Sequence, residues 1–338
     1  MAHAAWRTAI PGFLILLATC SEGSAAYVGD RYFPSTLATT VPTAADFYNP
    51  PYFVRLPDTA TTPTTHEIDI PTTYSRLVTR DLGVFFTETF RILDDANRGT
   101  RTGFEDFVIG AQYQLYTNPE HQFVFTVGGT AAIGGTGSPQ VASSFSTLTP
   151  TIYIGKGFGD LPDSVAWLRP LTISATVAVA VPTDSVTLTS LGTTNIPRAD
   201  TGAFTSPTTL LTGPTTLSET INPKILQLGF ALEYSLVTNS YTGANRTGTR
   251  YPEGWVPLIE FTTATPLNGP LVGRTTGTVN PGFIWVSRYL QVGVEAIIPM
   301  DAHSGRDVGA RAQAGGKAEN MCEAPGDRQG VESASLLR

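Results

Sequence analysis

Charge is scarce in this chain: Asp, Glu, Lys and Arg make up 14% of its 338 residues, against roughly a quarter in an ordinary soluble domain. Cysteine is nearly absent. The two present, Cys20 and Cys322, exclude a disulfide framework and leave too few soft ligands for a structural zinc site. Basic residues number 21 against 28 acidic ones, a net charge of −7, and they form no stripe along which a phosphate backbone could lie, which excludes a nucleic-acid partner. Beyond residue 26 there is no run of about eighteen apolar residues, so no membrane-spanning helix is available. What is present points to β structure. The chain is 41% hydrophobic, with 33 Gly, 25 Pro and 50 Thr, too apolar for disorder and rich in residues that fit a pleated strand.

Residues 1–26 read as a secretory signal: Arg7 is the basic start, Ile10 to Ala18 the short apolar core, and Ser24-Ala25-Ala26 the small residues of a cleavage point. A second reading takes Leu17-Ala18-Thr19-Cys20 as a lipoprotein box, with Thr19 a poor residue at that place. Residues 27–65 are rich in Pro and Thr and keep no sustained period, apart from a short strand at Tyr52 to Leu56. From His66 the pattern becomes period two. Leu226, Leu228, Phe230, Leu232 and Tyr234 share one face, with Gln227, Gly229, Ala231 and Glu233 opposite. Phe107, Ile109, Ala111 and Tyr113 oppose Asp106, Gly110, Gln112 and Gln114, and Leu290, Val292, Val294 and Ala296 oppose Gln291, Gly293 and Glu295. Strict alternation is the mark of a strand with one apolar face.

About eleven such segments follow His66, each roughly ten to sixteen residues long, which exceeds the five or six of a soluble sandwich and matches the nine to eleven that cross a membrane. The faces opposite the apolar stripes carry Gln, Gly, Ser, Thr and single Glu residues, where a soluble sandwich would put Lys and Glu. Over most of the chain short connections such as Thr79-Arg80-Asp81 alternate with long ones such as residues 134–145 and 183–220, although the linker Thr238 to Gly254 falls on the short-turn side and is too long for the pattern. Short turns in membrane barrels face the periplasm, so the strand at His66 runs inward and a further strand must precede it. The fold class is therefore all-β, an antiparallel transmembrane barrel of about twelve strands.

The stretches Gly103-Phe104-Glu105-Asp106-Phe107, Gly110 to Leu115, Gly134-Gly135-Thr136-Gly137-Ser138, Gly155 to Pro162 and Gln291 to Ala296 also carry a resemblance. Over most of residues 30 to 313 the chain resembles the bacterial outer-membrane barrels grouped under the meta-pathway of phenol degradation. The resemblance implies passage of aromatic or other hydrophobic compounds across the outer membrane. Its motifs are strand and turn patterns and name no catalytic group.

The end of the chain departs from that pattern. From Asp301 to Arg338 there is no Thr and no aromatic residue, and the closing aromatic that barrel assembly machinery reads is missing. The barrel is placed at 66–313 and residues 314–338 are read as a tail, by hypothesis the product of a frame change, with a flexible periplasmic tail as the alternative. The last strand is then truncated with an unpaired edge. An uninterrupted reading frame in the source genome contradicts the frame change.

No cofactor or metal is expected. His66, His121 and His303 lie in no Ser-His-acid spacing, and there is no GxSxG elbow. The candidate lumen residues are Asp106, Gln112, Gln114, Gln227, Glu233, Glu260, Gln291 and Glu295. They read two ways: as a polar path for small solutes, or as pairs that fill the barrel together with the N-terminal segment, the reading favoured here. The expected location is the outer membrane after export, with outer-membrane lipid and the assembly machinery as partners. The expected activity is passive passage or binding of small molecules, not enzymatic. A structural or surface-interaction barrel and a lipid-modifying hydrolase are the alternatives. Unheated protein should migrate differently from boiled protein on a detergent gel and fractionate with outer membranes. Identical migration, or absence from that fraction, contradicts the barrel.

Overall fold

The computed structural model describes residues 27–59, 64–95, 99–191, 216–237, 253–287 and 290–317; residues 1–26, read as an export signal, and 318–338 of the expected tail lie outside them, whereas 314–317 belong to the last strand. The strands are β1 (Tyr27–Val28), β2 (Arg31–Tyr32), β3 (Phe47–Asn49), β4 (Phe53–Arg55), β5 (Thr65–Leu77), β6 (Leu82–Asp95), β7 (Gly99–Phe104), β8 (Val108–Asn118), β9 (Phe123–Ala132), β10 (Thr147–Gly157), β11 (Leu171–Pro182), β12 (Val186–Leu191), β13 (Thr216–Ile221), β14 (Ile225–Tyr234), β15 (Gly254–Pro266), β16 (Thr276–Val286), β17 (Leu290–Pro299) and β18 (Gly309–Lys317). Fourteen of them form one sheet. Two pairs of pieces each fill a single barrel position, β3 with β4 and β7 with β8, so the barrel has twelve positions. All neighbours are antiparallel. The hairpin β12–β13 stands apart on the long connection after β11, where period two is not legible.

Closure happens at a strand that alternation does not reveal. Residues 47–55 are interrupted by Pro50-Pro51, which offer no N–H to a ladder. On either side of this break the chain pairs with β5 (Tyr48 opposite Tyr74, Val54 opposite Asp69) and with β18 (Tyr48 opposite Gly316, Phe53 opposite Ala312). The truncated last strand with a bare edge, expected from the sequence, is corrected here. β18 runs to Lys317 and pairs on both sides, because the broken strand supplies its second neighbour. Its outward row is Ala310, Ala312 and Ala314, opposite Ala296, Val294 and Val292; side chains this small leave no apolar stripe to read.

The outer surface is apolar where a soluble protein would be wet. Ile152, Val177 and Leu228 stand side by side on β10, β11 and β14, each about two-fifths exposed, and Phe230, Phe283 and Trp255 are exposed on the same side of the wall. Such a belt on a closed barrel is stable only against hydrocarbon. Among the described residues one carboxylate interrupts it. On β6 the outward row is Val84, Phe86, Glu88, Phe90 and Ile92, with Thr72 opposite Glu88 on β5, and Glu88 makes no hydrogen bond or ion pair with a described residue.

A charge at Val177 should cost about 2–4 kcal/mol of stability in lipid, so Val177→Arg should lower the unfolding free energy of the reconstituted barrel by that amount. Glu88→Leu should raise it by less. An unchanged Val177→Arg barrel contradicts the assignment of this face to lipid.

Candidate functional site

The inside of the barrel is occupied by the chain's own N-terminal segment. Residues 27–46 leave the wall before β3 and fold into the lumen, where irregular backbone must find partners that water would otherwise provide. Glu260, on the inner face of β15, is the main one. Its Oε2 accepts the backbone N–H groups of Leu37 and Ala38 at 3.0 and 2.8 Å, and its Oε1 accepts the N–H and the hydroxyl of Thr39 at 2.8 and 2.6 Å. Gln291 brackets Ser35, accepting its N–H and donating to its carbonyl. Gln112 donates to the Val41 carbonyl, Thr126 to that of Pro42 and Ser75 to that of Ala45. Asp46 accepts from the Leu77 N–H and pairs with Arg76.

Apolar packing holds the same segment from behind. Tyr32 and Leu37 join Val237, Val256, Leu258, Ile284 and Val286 in one buried cluster, while Val28, Phe33 and Val41 close on Val124 in another. Each such side chain contributes about 1.5–3 kcal/mol when fully buried. The approach needs a missing side chain on the wall: a Cβ at Gly155 would stand 2.7 Å from Pro42 and 2.8 Å from the Phe33 ring. At the end bearing the short turns, Arg31 donates to Gln122 Oε1 at 3.1 Å and to the carbonyls of Arg169 and Pro170. Gln122 adopts a left-handed backbone, φ 48°, uncommon for a non-glycine residue, and this turns its amide inward.

Between the plug and the long loops lies a chamber of about 460 Å³, floored by Ala38, Thr39 and Thr40. Among the described residues that line it, half are threonine and none is charged. At the long-loop end of β5 and β6, Arg91 grips Asp69 bidentately at 2.7 and 2.8 Å and also reaches Glu67 at 2.8 Å and Glu105 at 2.6 Å. One cation thus faces three carboxylates.

Of the residues singled out from the sequence, Gln112, Glu260 and Gln291 bind the plug. Gln227 lines the chamber. Glu233 is buried beside Ser174, at 3.4 Å, with its second oxygen lacking a partner among the described residues. Glu295 pairs with Arg311 at 2.6 Å. Gln114 is partly buried next to a register shift in β8. Asp106 sits elsewhere than expected: it occupies the break between β7 and β8 and accepts the N–H groups of Gly137 and Ser143, so its carboxylate fastens the loop of residues 134–146. Sequence reasoning misses Arg91, Gln122 and Ser75. An inward Arg among Thr87 and Thr89 is the available signal for the first; nothing in the spacing marks the others. His121 belongs to a turn fastening. Its Nδ1 lies 3.0 Å from Asp160, which also receives Lys156. Partial burial pushes the Asp160 carboxyl up, but these hydrogen bonds outweigh it and hold the group below the usual aspartate range.

Glu260→Gln keeps one acceptor and turns an NH₂ group toward backbone donors, so it should loosen the plug, whereas Glu233→Gln should leave it in place. With Cys322 replaced by Ser, a cysteine at Ala38 should react with a water-soluble maleimide about tenfold or more faster in the Glu260→Gln barrel, given about 1.5–3 kcal/mol per bond to a charged group. Gly155→Leu should have the same effect by steric displacement. Equal labelling in all the barrels contradicts the role given to Glu260.

No family model matches the chain, and no curated protein matches it. Solved structures are similar to it. The KdgM porin superposes with a TM-score of 0.42 at 10% identity, over 80% of this chain and 98% of its own. An outer-membrane channel from Pseudomonas putida F1 gives 0.48 at 8% identity, over 82% and 96%. OmpF of Salmonella typhi, in complex with daunomycin, gives 0.28 at 10% identity, over 80% and 96%.

Proposed function

We propose that the protein is an exported bacterial outer-membrane barrel for the passive passage or binding of small molecules, with its N-terminal segment acting as a constriction. The observation that carries this reading is the hydroxyl-lined chamber directly above a plug held by Glu260. A barrel meant only as a wall has no need of a polar chamber, and a pore without a plug would leave Glu260 facing water. Selectivity then comes from the chamber lining and the acidic mouth around Arg91, and flux from how far the plug yields. The resemblance to the phenol meta-pathway barrels offers aromatic or hydrophobic compounds as one candidate cargo, and the hydroxyl lining of the chamber favours a polar one.

Planar-bilayer recording tests it. The intact barrel should give small current steps, and a barrel lacking Tyr27 to Ala45 should give larger ones, because β3 and β4 remain to close the wall. Silence from both indicates a structural barrel and overturns the proposal. Lipid turnover that His121→Ala abolishes indicates the hydrolase instead.

A further inference from the structure

The chamber's lining is specific in its chemistry as well as its shape. Several of its hydroxyls are already engaged: Thr39 with Glu260, Thr262 with Thr278 at 2.8 Å, and Thr151 with the Thr149 carbonyl at 3.1 Å. The hydroxyls of Thr130, Thr149 and Thr176 make no hydrogen bond with a described residue. They lie on one wall: Thr149 is directly opposite Thr130 across β9 and β10, and Thr176 is opposite Tyr153 across β10 and β11. Phe85 and Tyr153 add two rings to the same space.

Each free hydroxyl can donate and accept. A charged solute entering this space would shed water and meet no counter-charge among the described lining residues, since the carboxylate of Glu260 beneath is covered by the plug. A purely apolar solute would strand the hydroxyls. We infer that the chamber binds uncharged, polyhydroxylated small molecules, of the size and chemistry of simple sugars and polyols, with the free threonine hydroxyls meeting theirs and the rings meeting their C–H faces. The inference rests on the reading of the barrel as a small-molecule passage. The acidic excess around Arg91 draws cations to the mouth, so a cationic analogue is the demanding control.

Equilibrium dialysis of the folded barrel in detergent, with labelled glucose and sucrose beside glucuronate and glucosamine, tests the inference. Saturable binding of a neutral sugar is expected, with both charged analogues at least about tenfold weaker. The combined variant Thr130→Val, Thr149→Val, Thr176→Val should also be about tenfold weaker while keeping heat-modifiable migration. If that variant fails to fold, the three single variants give the same reading. Equal binding of either charged analogue, no saturable binding of a neutral sugar, or unimpaired binding by the variants overturns the inference. Liposome swelling on the same preparation reads passage separately. A barrel that admits solutes but binds no sugar fails this inference alone, while one that admits nothing fails the passage reading too.

Discussion

The carboxylate of Glu260 meets the bare backbone of Leu37, Ala38 and Thr39, and the rest of the interior depends on that meeting. A chain segment without helix or ladder presents N–H groups that must be satisfied wherever water is thin. Two oxygens on one side chain, fixed on a strand in the middle of the wall, satisfy three of them and a hydroxyl as well. The exchange is mutual, because the same donors compensate a charge that a barrel interior would otherwise have to hydrate. Once this turn is pinned, Leu37 and Phe33 fall into their clusters, Gln291 meets Ser35, and the space above the turn becomes a floored chamber rather than an open bore.

Two surfaces of opposite character follow from one strand period. Outward residues such as Val177 and Leu228 meet hydrocarbon, while their immediate neighbours Thr176 and Gly229 face the chamber. The scarcity of charge and the abundance of threonine therefore have separate causes. Charge is kept out of the belt, Glu88 excepted, because lipid cannot solvate it. On the chamber wall, threonine's β-branched side chain favours the strand and its hydroxyl stays available.

Much of this is legible in the sequence, for a physical reason. Alternation along residues 225–234 and 290–299 depends only on which face meets apolar surroundings, so β14 and β17 stand out in the residues themselves, and loop parity requires a strand before His66. What escapes is set by long-range pairing. The strand at 47–55 is split by Pro50-Pro51, so only its second half, expected at Tyr52 to Leu56, is legible, and β18, expected only as a truncated last strand, turns alanines outward and carries no stripe; what the sequence does not show is that the two pair with each other. Asp106 reads as lumen-lining from its parity with Gln112, yet β8 begins only at Val108, and the break frees the carboxylate to hold the 134–146 loop. The inward direction of Glu260 is legible, but its ligand, a turn more than two hundred residues earlier in the chain, is not.

Amide hydrogen exchange at Leu37, Ala38 and Thr39 in the folded, membrane-embedded barrel measures the central interaction most directly. Protection of these three amides comparable to that of the β15 strand amides, and lost in Glu260→Ala while β15 stays protected, is the predicted result. Exchange of the three amides at the rate of a free chain in the unaltered barrel would contradict the account.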